Sequence, residues 1–263
     1  MKTLRLVLPL ALLLGCAAES QTNDPKQDLG LLWVKHSAEY QAISRQVYQS
    51  ATAALPGFIE DSSWSAMPTQ QNAEELPPAI ILDVDETVVS NVDFQLEYER
   101  PYANWKREEW TRRTNAMPIA GVSEFAAAAR EQGVTLFFIS NRPCELVDGI
   151  DDPCPQKQWA IDDVSEGGIE TDAEHVLLSE EHGWTREKSS RREFVANTHR
   201  VIMLMGDDLT DFIACTRDSP KAPCTEAATA DSRQKAVVDY SAYWGHGWYI
   251  LPNPMHGSWT TAH

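Results

Sequence analysis

Two clusters of acids stand directly after short apolar runs. Ala79-Ile80-Ile81-Leu82 leads into Asp83-Val84-Asp85-Glu86-Thr87, and the run from Val201 to Met205 leads into Gly206-Asp207-Asp208-Leu209-Thr210-Asp211. Between them, Phe137-Phe138-Ile139 leads into Ser140-Asn141-Arg142, and Lys188 opens a charged stretch, Glu187-Lys188-Ser189-Ser190-Arg191-Arg192. Taken singly, such acids serve as helix N-caps or solvated turns. Taken together they suggest chemistry. Carboxylates converging on one point repel strongly where the dielectric is low, so they need a cation. A donor set made only of oxygens suits Mg²⁺. Such a cation, a lysine and a hydroxyl would suffice to hold an anionic phosphoryl group.

These residues need elements that carry them to one place. The apolar runs read as buried parallel strands at 79–82, 134–139, 176–178 and 201–205, with a fifth at 248–251. Helical spacing appears over 31–55, where Pro56-Gly57 is expected to stop it, and over 122–132, 155–165 and 186–197, with a further helix about 105–114. Arg191-Arg192 reads as a solvated helix face. Strands alternating with helices imply an α/β domain with a mainly parallel sheet. In such sheets ligands bind beyond the carboxyl ends of the strands, where the acids stand.

The formal net charge is -17 over 263 residues. That disfavours polymeric nucleic acid and anionic membrane surfaces as partners. It also means that an anionic substrate would need local positive charge, which the inferred cation and Lys188 would supply.

The first residues look like an export signal. Lys2 and Arg5 precede the apolar run Leu6–Leu14, too short to span a bilayer as a mature helix. It ends in Leu13-Leu14-Gly15-Cys16, which resembles a bacterial lipobox and implies cleavage before Cys16 and lipidation of its thiol. The organisation expected is a signal peptide at 1–15, a polar tether at 16–30 and a catalytic domain at 31–263. The expected location is exported and lipid-anchored, at the outer membrane or the periplasmic face, with the lipid as the sole membrane contact. Cys144, Cys154, Cys215 and Cys224 then fall in an oxidising compartment. Three pairings are open to them. Short loops close most readily, which favours Cys144–Cys154 and Cys215–Cys224.

Asp83-x-Asp85-x-Thr87, Ser140, Lys188 and Asp207-x-x-x-Asp211 resemble, in order, the motifs of the haloacid dehalogenase (HAD) superfamily. Ile81–Val88 and Met205–Phe212 more narrowly resemble the paired signatures of class C bacterial acid phosphatases. Trp33, Ser37–Tyr40, Gln46-x-Tyr48 and Leu251–Trp259 are similar to that family too. The resemblance implies a HAD-like Rossmannoid fold with a small helical cap inserted at about 92–118. It implies Asp83 as nucleophile, Asp85 as general acid and base, and Mg²⁺ held by the Asp83 carboxylate, the Asp85 backbone carbonyl and Asp207. Ser140, Asn141 and Lys188 would bind phosphate. Asp211, Thr87 and Asp208 would support them; Asp208 stands where relatives often carry Asn, and adds a negative charge.

The substrate implied is a small phosphomonoester, with nucleoside monophosphates foremost. Tyr102, Trp105, Trp110 and His256 are the aromatic candidates for contact with a base. A HAD phosphotransferase or sugar phosphatase, or a non-catalytic storage lipoprotein, stand as alternatives, and the sequence leaves a homodimer open.

Overall fold

The computed structural model describes residues 25–97, 110 and 116–262. In chain order the elements are α1 (Pro25–His36), α2 (Ala38–Glu60), β1 (Pro78–Leu82), β2 (Val89–Ser90), α3 (Val92–Glu97), β3 (Met117–Pro118), α4 (Val122–Glu131), β4 (Thr135–Pro143), α5 (Pro155–Glu166), β5 (Val176–Ser179), α6 (Ser189–Ala196), β6 (Arg200–Gly206), α7 (Ala230–Asp239) and β7 (Trp248–Ile250). Five strands form one sheet in the order β5-β4-β1-β6-β7. All four pairings are parallel. The fold is α/β and HAD-like, as expected.

The apolar runs divide between two cores because successive strand residues point to opposite faces. Ile80, Leu82, Leu136 and Phe138 meet Tyr48, Leu55, Phe125 and Val164 from α2, α4 and α5. Ala79, Ile81, Phe137 and Ile139 face Val195 and Trp248 on the other side. From β1 the chain moves outward to β4 and β5, then crosses back to β6 and β7 on the other flank. In sheets of this kind ligands bind at such a reversal, which here lies at the carboxyl end of β1, where Asp83 stands.

Several boundaries differ from the sequence reading. The first helical stretch is two helices, because Ser37 caps α2 by accepting the Tyr40 N–H. α1 begins at Pro25, within the segment expected as tether. Pro56 does not stop α2, which runs on to Glu60. Leu55 and Phe58 are buried on either side of Pro56. The Arg200 guanidinium meets the carbonyls of Phe58, Ile59 and Asp61 at 2.9–3.0 Å, a cap that spacing along one helix cannot reveal. β4 extends through Ser140-Asn141-Arg142 to Pro143, so the second motif lies on the strand itself. α7 has no counterpart among the expected helices; its polar sequence offers one buried side chain, Arg233.

The disulfides are Cys144–Cys154 and Cys215–Cys224, the short-loop pairing. No helix among the described residues is long and apolar enough to cross a membrane. Cys16, Tyr102 and Trp105, the signal peptide and most of the expected cap and its helix lie outside the described residues.

Candidate active site

Asp83 follows β1, and its N–H donates to the Met205 carbonyl of β6 at 2.9 Å. The chain then turns tightly. The N–H groups of Val88 and Val89 both reach the Val84 carbonyl, at 2.9 and 3.1 Å, and Glu86 takes a left-handed φ of 62°. The Glu86 carboxylate holds the turn by accepting the Asn91 N–H at 2.8 Å. From below, the Tyr48 hydroxyl of α2 donates to the Thr87 carbonyl at 2.7 Å.

Lys188, at the start of α6, bridges the first and last motifs. Its Nζ lies 2.6 Å from Asp83 Oδ1 and 2.6 Å from Asp211 Oδ1. The other Asp211 oxygen accepts the N–H groups of Asp207 and Asp208 at 3.1 and 3.0 Å. This fold-back explains Gly206, since a Cβ there would lie 2.3 Å from Asp211 Oδ2. Asp211 thus holds the Lys188 ammonium beside Asp83.

One oxygen each from Asp83, Asp207 and Asp211 lie within 4.8 Å of one another. Burial pushes the Asp83 carboxyl up to about 7; Lys188 pulls it down, while the charges of Asp211 and Asp85 push it up. Burial, with the charges of Asp211 and Asp83, likewise drives Asp207 well above the ordinary carboxylate range. Lys188 stays charged, because Asp211 and Asp83 outweigh the effect of its burial. Fully ionised, the three crowded carboxylates outnumber the one ammonium, and the donors are hard oxygens. A divalent cation fits this site and would favour the ionised forms.

Asp85 sits beside this cluster. Arg142 holds both of its oxygens, from Nη2 at 2.7 Å and Nε at 3.1 Å. Asn91 Nδ2 donates to Asp85 Oδ1 at 2.9 Å, and the Ser140 hydroxyl lies 3.4 Å from Oδ2. Ser140, expected at phosphate, thus points its hydroxyl at Asp85. Asn141 is held through its side-chain oxygen by Arg191 at 2.7 Å.

Arg191 and Arg192 are not a solvated face: they are 0% and 4% exposed. Their guanidinium groups bind backbone carbonyls, Arg191 at Ser140 and Arg192 at Thr210 and Asp211. Burial lowers the Arg191 pKa to about 10.

Asp208 turns away from the cluster. It caps the 3₁₀ turn Leu209–Asp211 and accepts the Ser258 hydroxyl at 2.6 Å. Burial would raise its pKa, but hydrogen bonds from Ser258 and Thr210 outweigh this and lower it. Its extra charge is therefore spent on the C-terminal segment.

That segment supplies a residue the sequence reading missed. Asn253 Nδ2 donates to Asp207 Oδ2 at 2.7 Å, while Thr87 lies 3.3 Å from the other oxygen. Its only signal was membership of the Leu251–Trp259 stretch. His256 lies 3.6 Å from Glu86, at the edge of the site. Trp110 is buried, with its ring edge-on to Phe94.

Residues 18–259 match the family described as HAD superfamily, subfamily IIIB (Acid phosphatase). The chain belongs to this family. It is an acid phosphatase, a phosphomonoester hydrolase. Among solved structures it resembles the class C acid phosphatase from Bacillus anthracis, at 27% identity and a TM-score of 0.70 over 90% of this chain and 87% of that one. The same Bacillus anthracis enzyme with tungstate bound matches at 29% identity, with a TM-score of 0.70 and coverage of 90% and 87%. The candidate site combines a carboxylate cluster and an arginine-held aspartate at the ends of neighbouring strands with a buried lysine at the start of α6.

Proposed function

We propose that this acid phosphatase hydrolyses 5′-nucleotides among small phosphate monoesters, through a phosphoryl group carried on Asp83 and with Mg²⁺ as cofactor. The observation that carries the reading is Lys188 Nζ at 2.6 Å from both Asp83 and Asp211, inside a partly buried carboxylate cluster. A tungstate-bound relative supports it, since tungstate is a tetrahedral oxyanion like phosphate.

An Asp83 oxygen attacks phosphorus while the bond from phosphorus to the ester oxygen breaks. Asp85 donates a proton to that leaving oxygen. Water then attacks the aspartyl phosphate, Asp85 takes the water's proton, and the bond from phosphorus to Asp83 breaks. Lys188 stabilises charge on the transferring group; Asn141 would donate to its oxygens through the amide nitrogen, since Arg191 holds its side-chain oxygen, and Ser140 would reach them by turning its hydroxyl from Asp85. Asp83, Asp207 and the Asp85 backbone carbonyl would hold Mg²⁺, which supplies neutralisation of the anionic site when bound.

Nucleotide preference would come from aromatic contacts. His256 is partly exposed beside Glu86, and the exposed Trp259 donates its indole N–H to the His256 carbonyl at 3.1 Å. Tyr102, Trp105 and Trp110 are further candidates from the cap.

The test is phosphate release from a panel of 5′-nucleotides and an aryl phosphate, with and without Mg²⁺, beside Asp83→Asn. Magnesium-dependent turnover, lost in the variant and fastest on nucleotides, supports the reading. Turnover retained by Asp83→Asn removes the nucleophile assignment, and equal rates on all esters remove the nucleotide preference.

We also propose export and lipidation at Cys16. Two disulfides suit an oxidising compartment. Metabolic labelling with an alkyne fatty acid, absent in Cys16→Ser, is the expected outcome.

A further inference from the structure

We infer that Arg142, anchored by Asp163, is a positioning residue that sets the orientation of the Asp85 carboxylate for proton transfer. This rests on the acid–base role proposed above for Asp85.

Arg142 lies on β4 and is 8% exposed. A guanidinium so deeply placed is costly unless it is paired and hydrogen-bonded. Asp163 of α5 provides one partner: its Oδ2 lies 2.6 Å from Arg142 Nη1, and it is 5% exposed. That single pair would neutralise Arg142 and tie α5 to the sheet. A purely structural role would be complete there.

Instead the remaining nitrogens turn towards the site. Nη2 and Nε engage the two oxygens of Asp85, at 2.7 and 3.1 Å. Two parallel contacts from a planar fork set the plane of the carboxylate as well as its distance. A lysine in this place could offer a charge but not that plane. Asn91 Nδ2 contributes a third direction, at 2.9 Å. Asp85 is thus braced between its own turn and a neighbouring strand.

The brace depends on α5 staying in register with β4. The Cys144–Cys154 disulfide joins the end of β4 to the start of α5, and Gln156 accepts the Glu145 N–H at 3.2 Å. The loop that follows the second motif is thereby closed, and α5 returns with Asp163 behind Arg142. General acid catalysis needs such aim, because a shift of about 1 Å in a reacting group can cost roughly 10²-fold in rate.

The test compares Arg142→Lys, Arg142→Gln, Asp163→Asn and Asp85→Asn in the Mg²⁺-loaded enzyme. Turnover is measured on an aryl phosphate, whose leaving group needs little protonation, and on an alkyl monoester, whose leaving group needs much. Thermal midpoints report folding. Both Arg142 variants should lower kcat on the alkyl ester by roughly 10²-fold, with KM changed less than about threefold and a loss at least about tenfold smaller on the aryl ester. Asp163→Asn should move the same ratio in the same direction by less. In an Asp85→Asn background, Arg142→Gln should cost nothing further.

Equal losses on both esters, or a raised KM as the main effect, would overturn the inference, since Arg142 would then serve the phosphate or the fold. Should Arg142→Gln fail to fold, Asp163→Asn and Arg142→Lys still report the leaving-group ratio. If Asp85→Asn is inactive while the Arg142 and Asp163 variants turn over normally, the brace fails alone. If Asp85→Asn keeps full turnover on the alkyl ester, the acid–base reading itself fails.

Discussion

Asn253 and Asp207 are joined by a hydrogen bond of 2.7 Å that spans 46 residues of sequence, from the C-terminal segment to the end of β6. Thr87 reaches the other Asp207 oxygen at 3.3 Å. The proposed metal ligand is thus held on both sides by residues far apart in the sequence. Outer partners of this kind orient ligands, and their loss typically weakens metal affinity about 10- to 100-fold. Asn253→Ala is therefore expected to raise the Mg²⁺ concentration needed for half-maximal activity by that order, with turnover largely recovered at saturating Mg²⁺. A titration of activity against Mg²⁺ decides it; an unchanged midpoint would leave Asn253 a packing residue only.

The raised carboxyls make metal-free stability depend on pH. Asp83 stands at about 7 in the folded chain, against an ordinary value of about 3.9 for an unfolded Asp. Between these values the folded state binds more protons than the unfolded one, so stability falls as pH rises. The contribution is fully present below about pH 4 and is lost as pH climbs through about 7. The metal-free protein should thus melt higher at pH 5 than at pH 7. The difference should shrink in Asp83→Asn, and Mg²⁺ should raise the midpoint more at pH 7 than at pH 5. Calorimetry on chelator-treated protein tests this. An Mg²⁺ shift of the same size at both pH values would contradict it.

Asp208 predicts the opposite slope. It accepts hydrogen bonds from the Thr210 N–H and from both the N–H and the hydroxyl of Ser258. Its pKa is lowered in the fold. Its contribution is therefore present above the ordinary carboxylate value and disappears as pH falls below about 4. Asp208→Ala should cost roughly 2–3 kcal/mol at neutral pH, and Asp208→Asn less. The loss should also disturb Asn253, which rides on the same segment. Denaturant unfolding of both variants, with Mg²⁺ titrations beside it, provides the check; equal stability of Asp208→Ala and the parent would refute a stabilising role for these hydrogen bonds.

Residue type and order alone determined much of this molecule. Buried strands need unbroken apolar runs, so the runs before Asp83, Ser140 and Asp207 announced both the sheet and the ends where the acids would gather. Lys188 and the acids could be read as one site because crowded carboxylates require positive charge. The disulfide pairs followed from loop length. Helix ends were less legible: α2 continues past Pro56 because Arg200, distant in sequence, donates to its last carbonyls.

What the tertiary structure alone decided were the partners of charged groups. Arg191 and Arg192 resemble a surface pair in sequence, yet both are buried and bound to carbonyls. Asp208 looks like a third acid at the metal, yet it turns to Ser258. Arg142, Asp163 and Asn253 carry no motif that states what they touch. A strand or helix reveals itself through local periodicity, whereas a hydrogen bond between distant segments depends on where folding places both ends.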